Sequence, residues 1–141
     1  KNRFYSSAVE YLTCQFDEYT NKPVLDEKGR IQERENYLIV GVNCDVDSFG
    51  AECIEVNRLY GKNNSVKDVK AHHYIISFEP NDPITIEQAL EFGKQWLSVF
   101  APGHQAVVAV HPDGHNGSQN MHVHMVTNSV RKYAGKQSRW H

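Results

Sequence analysis

The alternation of apolar and polar residues along the chain predicts seven regular elements. A serine-capped apolar run at 6–12 is typical of a short helix, and a polar stretch rich in turn residues follows at about 17–36. Short β-branched and aromatic runs predict four strands, at 37–42, 73–78, 105–110 and 121–130. Apolar residues at helical spacing predict two further helices, at 49–60 and at 85–100.

The helix at 85–100 is the most strongly marked of these elements. Thr85 and Gln88 form a capping box at its start. Its predicted buried stripe consists of Ala89, Phe92, Trp96 and Val99. The order helix, strand, helix, strand, helix, strand, strand predicts an α+β fold. We expect a central, mostly antiparallel β-sheet with the helices packed on one face and the other face open to a ligand.

Length and composition limit the kind of protein this can be. The 141 residues, 40% of them hydrophobic, correspond to one domain. The sequence contains no run of about 18 apolar residues, so we expect no membrane span. The three cysteines, Cys14, Cys44 and Cys53, make an odd number without metal-ligand spacing. This pattern favours structural thiols in a reduced, cytoplasmic setting.

The formal net charge of −2 argues against a uniformly basic DNA-binding surface. The charge is unevenly distributed, however, because Arg131, Lys132, Lys136 and Arg139 follow one another with no acidic residue among them. Such a basic strip can bind phosphates, although a solvated tail has the same composition. Charge therefore leaves nucleic acid open as a partner without requiring it.

Candidate chemistry is concentrated around the last two predicted strands. His122 and His124 are two residues apart in a strand, so both side chains leave the same face, about 6 to 7 Å apart. His111 ends the preceding strand, and a hairpin would set it beside His122. Three neutral imidazoles can hold one divalent ion and leave its other positions open, as a catalytic metal requires. A pair of structural histidines remains the alternative interpretation.

Three neighbouring polar residues are candidates to assist these histidines. Asp113 could orient a ligating histidine or accept a proton, or it could belong to an ordinary Asp-Gly turn. Asn128 shares a face with His124 in a regular strand, where it could support a ligand, contact a phosphate or end the strand. His72 and His73 point to opposite faces, so one of them could face the metal side, and His73 is the candidate to support a ligand or contact DNA; a histidine at the start of a strand, in contact with solvent, is the alternative.

The spacing His111-x-Asp113, His122-x-His124 and Asn128 resembles the signature of relaxase/mobilisation nucleases. These are enzymes of the HUH endonuclease superfamily that plasmids and integrative elements encode. The resemblance covers about residues 6 to 135. It includes the segments Ala8–Leu12, Gly41–Cys44, His72–Phe78 and Pro102–Val108.

This resemblance implies an activity. In the family, a tyrosine on an N-terminal helix attacks one DNA strand at an origin of transfer and forms a 5′-phosphotyrosine adduct for conjugative mobilisation. The family pattern gives this role to Tyr11, with Tyr5 and Tyr19 as the other candidates, and Asp113 is the candidate base. The expected cofactor is a divalent metal ion, Mg or Mn in the cell, with Zn, Ni or Co as replacements in vitro.

The same resemblance bears on partners and on domain organisation. We expect single-stranded origin-of-transfer DNA as the substrate and accessory relaxosome proteins as further partners. Because family members are generally longer, we expect residues 1–141 to be a relaxase catalytic domain taken from the N-terminal part of a longer protein.

Other functions remain open at this stage. A replication-initiator nuclease would use the same chemistry at a replication origin. A metal-dependent hydrolase would use activated water and no tyrosine, so it would keep its activity in a Tyr11→Phe variant. A nonenzymatic DNA- or metal-binding module would bind oligonucleotides without forming a covalent adduct.

Overall fold

An antiparallel sheet forms the centre of the computed structural model, which describes residues 5, 8, 9, 12, 27, 28, 38–63, 65, 67–112 and 120–133. Within these residues the strands are β1 (Leu38–Val42), β2 (Ala71–Ser77), β3 (His104–His111) and β4 (His122–Arg131). They lie in the order β1-β3-β4-β2, and each neighbouring pair is antiparallel. The α+β class and the antiparallel sheet are therefore confirmed.

Two helices in the described ranges occupy the predicted positions. The first, α1 (Phe49–Tyr60), ends at Gly61, whose φ of 64° is left-handed and favours glycine. The second, α2 (Ile86–Phe100), begins with the predicted capping box, in which the Gln88 backbone N–H donates to the Thr85 hydroxyl at 3.0 Å. No helix among the described residues is long and apolar enough to cross a membrane.

The two helices cover opposite faces of the sheet, so the expectation that the helices pack on one face is corrected. On the α1 face, the sheet residues Val107, Ala109 and Val126 pack against Phe49 and Cys53 of α1. On the α2 face, the packed residues are Val108, Val110, Val123 and Met125 of the sheet with Ala89 and Leu97 of α2. The physical reason is that β3 is apolar at consecutive positions, so both of its sides require cover from water.

The buried stripe of α2 also differs from the predicted one. The helix residues buried at the α2 face are Ala89, Gly93 and Leu97. By contrast, Phe92 and Val99 are 45% and 63% exposed. Gly93 accounts for the difference, because a Cβ at this position would lie 2.8 Å from the Val123 Cγ1 atom. The helix therefore turns its glycine toward the sheet, and its backbone approaches more closely than a larger residue would allow.

A few N-terminal residues complete the cover of the α1 face. Tyr5, Ala8, Val9 and Leu12 are helical, and their spacing places them on one side of a helix. Tyr5 and Leu12 are fully buried in the core that α1 forms with the sheet, and Ala8 and Val9 pack against it. The other positions of the helix predicted at 6–12 lie outside the described residues.

Candidate active site

The three candidate metal-binding histidines lie together at one end of the α1 face. His111 and His122 are direct partners across the β3–β4 pair, as the predicted hairpin requires. His124 is opposite Ala109 and two residues from His122, so the alternation of side chains places all three rings on the same face. His111 and His124 are buried, whereas His122 is half-buried. The cluster thus extends from the core toward solvent.

The separations between the rings show how closely this cluster approaches a metal site. The ring centroids of His111 and His124 are 4.6 Å apart, and those of His122 and His124 are 6.1 Å apart. Imidazoles that share one ion at about 2.0 to 2.1 Å have centroids roughly 4.6 to 5.3 Å apart. The first pair fits this range, and the ring of His122 would have to turn toward it. As placed, no three His, Cys, Asp or Glu side chains in the described ranges form a ready ligand group.

Hydrogen bonds to backbone carbonyls fix which nitrogen each outer histidine could offer to a metal. His111 Nε2 lies 2.7 Å from the carbonyl oxygen of Leu12. His122 Nδ1 lies 2.8 Å from the carbonyl oxygen of Asn120. A carbonyl oxygen can only accept, so each of these nitrogens carries the proton. In the neutral rings, the lone pairs are therefore on His111 Nδ1 and His122 Nε2.

His73 supports the third histidine. Its Nε2 atom lies 3.1 Å from Nδ1 of His124, and the ring centroids are 5.3 Å apart. If the His124 Nδ1–H donates a hydrogen bond to His73, the lone pair of His124 is on Nε2. Each of the three rings then offers one nitrogen lone pair to a metal ion. His72 occupies the opposite face, stacked on Tyr74 at 6.2 Å. Metal-binding histidines are usually oriented by such bonds on their other nitrogen, so the donor chemistry fits a divalent cation.

Both residues expected to react with DNA fall outside the described residues. These are Tyr11 and Asp113, and the alternative nucleophile Tyr19 also lies outside them. The structure does describe Leu12, the residue that follows Tyr11. Its carbonyl oxygen is the atom that contacts the buried ring of His111. The backbone next to Tyr11 is therefore in direct contact with the histidine cluster.

Tyr5, the other alternative nucleophile, is a buried residue with a different environment. Its hydroxyl oxygen lies 2.9 Å from the carbonyl oxygen of Lys70 and 3.0 Å from Oδ1 of Asn128, and it accepts from Nδ2 of Asn57 at 2.9 Å. Burial raises the pKa of the Tyr5 phenol, although the bond from Asn57 opposes this. An attacking phenol requires access to DNA and easier loss of its proton, so this geometry disfavours Tyr5 as the nucleophile.

Asn128 lies on the α1 face but at the opposite end from the histidines. Four residues separate it from His124 in β4, which corresponds to about 13 Å along the strand. Its side chain is fully buried, and Nδ2 donates to Asn57 Oδ1 at 3.0 Å and to Gln105 Oε1 at 3.1 Å. As placed, Asn128 contacts protein side chains, and the geometry favours a structural role over contact with a phosphate.

Asn57 and Gln105 were not predicted to be site residues, although both carry a signal in the sequence. Gln105 begins the predicted strand 105–110, whose other members are small and apolar, and it is fully buried. Asn57 follows Phe49 and Cys53 at intervals of four, which puts it on the buried stripe of α1. The Leu12 carbonyl has no such signal, because every residue has a carbonyl group and only the fold selects this one.

Comparison with known proteins identifies the family. A family model for the nuclease domain of MobA/VirD2-like relaxases matches residues 19–141. Protein rlx of Staphylococcus aureus is 36% identical over 97 residues, which are 69% of this chain and 28% of that protein. The group II intron-interrupted relaxase LtrB of Lactococcus lactis subsp. cremoris is 40% identical over 93 residues, or 65% of this chain and 14% of that protein.

This chain thus spans less than a third of the length of these relatives. No solved structure matches it. The family model covers most of the chain, including the two strands that carry the histidine cluster. The chain belongs to the family of MobA/VirD2-like relaxase nuclease domains.

Proposed function

We propose that this nuclease domain nicks one DNA strand at an origin of transfer, with the help of a divalent metal ion and a tyrosine. The contact between His111 and the Leu12 carbonyl carries the proposal, because it joins the histidine cluster to the residue that follows Tyr11. The relaxase names of the two curated relatives support the same conclusion.

His111, His122 and His124 would hold the ion, through Nδ1 of the first and Nε2 of the other two. The proton positions set by Leu12, Asn120 and His73 support this donor set. When bound, the ion supplies positive charge to the non-bridging oxygens of the scissile phosphate. We propose Mg or Mn as the ion in the cell, and Zn, Ni or Co as replacements in vitro.

Tyr11 is the proposed nucleophile. It directly precedes Leu12 in the sequence, and the Leu12 carbonyl oxygen lies 2.7 Å from Nε2 of His111. In the reaction, the phenol oxygen forms a bond to phosphorus, and the bond from phosphorus to the 3′ oxygen breaks. The phenol proton passes to a base, for which Asp113 is the candidate, and the 3′ oxygen takes a proton from solvent. The products are a 5′-phosphotyrosine and a free 3′-hydroxyl.

The covalent adduct accounts for a role in DNA transfer rather than in degradation. The phosphotyrosine bond retains the energy of the original ester, so attack by a 3′-hydroxyl can rejoin the strand later. The proposed partners are single-stranded origin-of-transfer DNA and accessory relaxosome proteins, and the proposed location is the cytoplasm.

The outer edge of the α1 face offers a place for the strand to approach. Among the strands that the structure describes, β2 lies at an edge of the sheet, and its residues His73, Ile75 and Ser77 are exposed on the side of the histidines. Ile75 is opposite His124 across the β2–β4 pair and is 54% exposed. An apolar side chain beside the cluster can contact a sugar or a base, and this supports DNA as the substrate.

The test incubates the protein with Mn²⁺ and a single-stranded oligonucleotide that contains the origin sequence. We expect a protein–DNA species that survives denaturation, and we expect Tyr11→Phe and His122→Ala each to abolish it. Two control variants should retain it. Tyr60→Phe removes an exposed tyrosine hydroxyl, and His72→Ala removes a histidine from the α2 face.

The other outcomes identify the alternative functions. Cleavage by Tyr11→Phe without an adduct would indicate a hydrolase that uses water. Binding of the oligonucleotide without cleavage, under every metal tried, would indicate a binding module. An adduct that forms with a replication origin and not with a transfer origin would indicate a replication initiator.

A further inference from the structure

We infer that Tyr5 is a positioning residue, whose buried hydroxyl pins the N-terminal helical residues to the sheet and so holds Tyr11 at the histidine cluster. The inference rests on the proposed function, since it assigns Tyr11 the attacking role. It concerns a residue that the reaction itself does not use.

The hydroxyl of Tyr5 is enclosed by groups from three parts of the fold. It reaches the Lys70 carbonyl at the start of β2, the Asn128 side chain in β4 and the Asn57 side chain in α1, each at 2.9 to 3.0 Å. The hydroxyl accepts from Asn57, and its single proton donates to Lys70 or Asn128. Displacing the hydroxyl would break the bond from Asn57 and the bond to Lys70 or Asn128 at the same time.

The groups that hold this hydroxyl are themselves held in place. Asn128 Nδ2 donates to both Asn57 and Gln105, so the amide cannot turn without losing bonds in the interior. The Tyr5 ring meets Phe49 edge to face, with centroids 5.7 Å apart and an interplanar angle of 89°. Tyr5 is therefore fixed by its ring as well as by its hydroxyl.

A second fixed point lies seven residues further along the chain. Leu12 is buried, and its carbonyl accepts from His111 Nε2 at 2.7 Å. Tyr5 and Leu12 are both helical and lie seven positions apart in the sequence. One contact would leave the N-terminal helical residues free to shift against the sheet, whereas contacts at both positions restrain them. Tyr11 lies between the two points in sequence, directly before the second.

The geometry also connects Tyr5 to a metal-binding histidine. The Leu12 carbonyl orients His111, so loss of the Tyr5 anchor should loosen the bond that holds this ring. We expect two consequences in Tyr5→Phe, which keeps the aromatic ring and removes only the hydroxyl. Tyr11 should reach the phosphate less often in the correct position, and the His111 Nε2–H should be less well hydrogen-bonded.

The experiment compares Tyr5→Phe with two matched controls. Tyr60→Phe removes a tyrosine hydroxyl that also donates to a backbone carbonyl, that of Lys132. Val108→Ala destabilises the core of the α2 face, on the opposite side of the sheet from the hydroxyl of Tyr5. All variants are assayed below their melting temperatures, where each is folded. Asn128→Ala removes one acceptor of the hydroxyl and serves as a second test variant.

The first measurement is the single-turnover rate of adduct formation together with the dissociation constant of the oligonucleotide. A nucleophile misplaced by about 1 Å can lose up to 100-fold in rate, so we expect a 10- to 100-fold loss in Tyr5→Phe with DNA affinity unchanged. Asn128→Ala should lose rate in the same way. Tyr60→Phe and Val108→Ala should keep the wild-type rate, because neither touches the two fixed points.

The second measurement does not depend on activity. Nitrogen-15 NMR of the imidazole groups reports the proton on His111 Nε2 and its hydrogen bond. We expect its resonance to move, and its proton to exchange faster, in Tyr5→Phe but not in Tyr60→Phe.

The possible failures are distinguishable. A wild-type protein that forms no adduct would contradict the proposed function, and an unchanged His111 signal in Tyr5→Phe would then refute the anchor as well. A wild-type rate in Tyr5→Phe, or an equal loss in Val108→Ala, would overturn the positioning role of Tyr5 while the proposed function stands.

Discussion

Replacing His73 by alanine should weaken metal binding without weakening the fold. His73 is exposed on β2, and its Nε2 atom lies 3.1 Å from Nδ1 of the buried His124. In the proposed site, His124 binds through Nε2 and donates its other proton to His73. Removing His73 would leave that proton without its acceptor and the His124 ring less firmly oriented.

The size of the effect follows from this single lost contact. Removing a group that orients a metal-binding histidine typically lowers metal affinity 10- to 100-fold. This corresponds to about 1.4 to 2.7 kcal/mol of binding free energy. The free energy of unfolding should change by less than about 0.5 kcal/mol, because the side chain fills no space in the core and is exposed, so that water can accept from His124 in its place. Loss of affinity without loss of stability is therefore the expected signature.

The assay is calorimetric titration with Mn²⁺ at pH 8, where free histidines are largely neutral. His72→Ala provides the matched control, because it removes the neighbouring histidine from the opposite face, where the ring stacks on Tyr74. It should bind the metal as the wild type does. His73→Gln should recover part of the lost affinity, since its side-chain oxygen can accept from His124. Wild-type affinity in His73→Ala would refute this account, and so would an equal loss in His72→Ala.

Three further predictions concern other groups of the domain. Burial raises the pKa of Cys44 from 9.0 to about 11, so its thiolate fraction at pH 8 should fall roughly 100-fold. Mass spectrometry of the peptide that contains Cys44 measures the rate at which this thiol is alkylated. The rate should be roughly 100-fold lower in the native protein than in urea, and equal rates would contradict the burial of Cys44. Burial also lowers the pKa of His104. The unfolded chain therefore binds a proton first as the pH falls through about 6.5, and native stability declines. When the free energy of unfolding is measured in urea between pH 7.5 and 5.5, it should decline less in His104→Gln than in the wild type. An equal decline in both proteins would contradict the lowered pKa of His104. Ile75 lies beside the histidines, and Ile75→Glu should weaken oligonucleotide binding in a fluorescence anisotropy assay. Val99 is 63% exposed on α2, and Val99→Glu should leave this binding unchanged. Equal losses of affinity in the two variants would exclude Ile75 from the DNA surface.

The elements of the fold were predictable because their signals are local. The capping box at Thr85, the glycine after α1 and the β-branched runs each act within a few residues, and the structure reproduces them. The placement of the helices was not predicted, although part of its cause is visible in the sequence. β3 is apolar at consecutive positions from Ala106 to Val110, and such a strand requires cover on both sides. The orientation of α2 depends on the close approach at Gly93, which only the packed structure reveals.

The candidate site, like the fold, was predictable only in part. The alternation of side chains in a strand was enough to place His122 and His124 on one face, and the hairpin brought His111 beside them. The contacts that orient these rings come from distant segments, since 99 residues separate His111 from Leu12 and 51 separate His73 from His124. Such contacts depend on how the elements pack. Sequence reasoning could therefore name the candidate ligands but not the groups that orient them.

The packing of the sheet and the geometry of the site constrain each other through the register of β4. Its residues alternate between Val123 and Met125, which fill the core of the α2 face, and His122 and His124, which form the cluster. A shift of one residue against β3 would move the histidines under α2 and the apolar pair toward the open edge. The shifted arrangement would bury imidazoles in the apolar core and expose apolar side chains to water, and both changes are unfavourable. The apolar core that stabilises the domain therefore also keeps the histidines on the face that Leu12 contacts. Because of this coupling, a substitution that shifted the register of β4 would displace the histidines, whereas one that only weakens the α2-face core, such as Val108→Ala, should leave them in place.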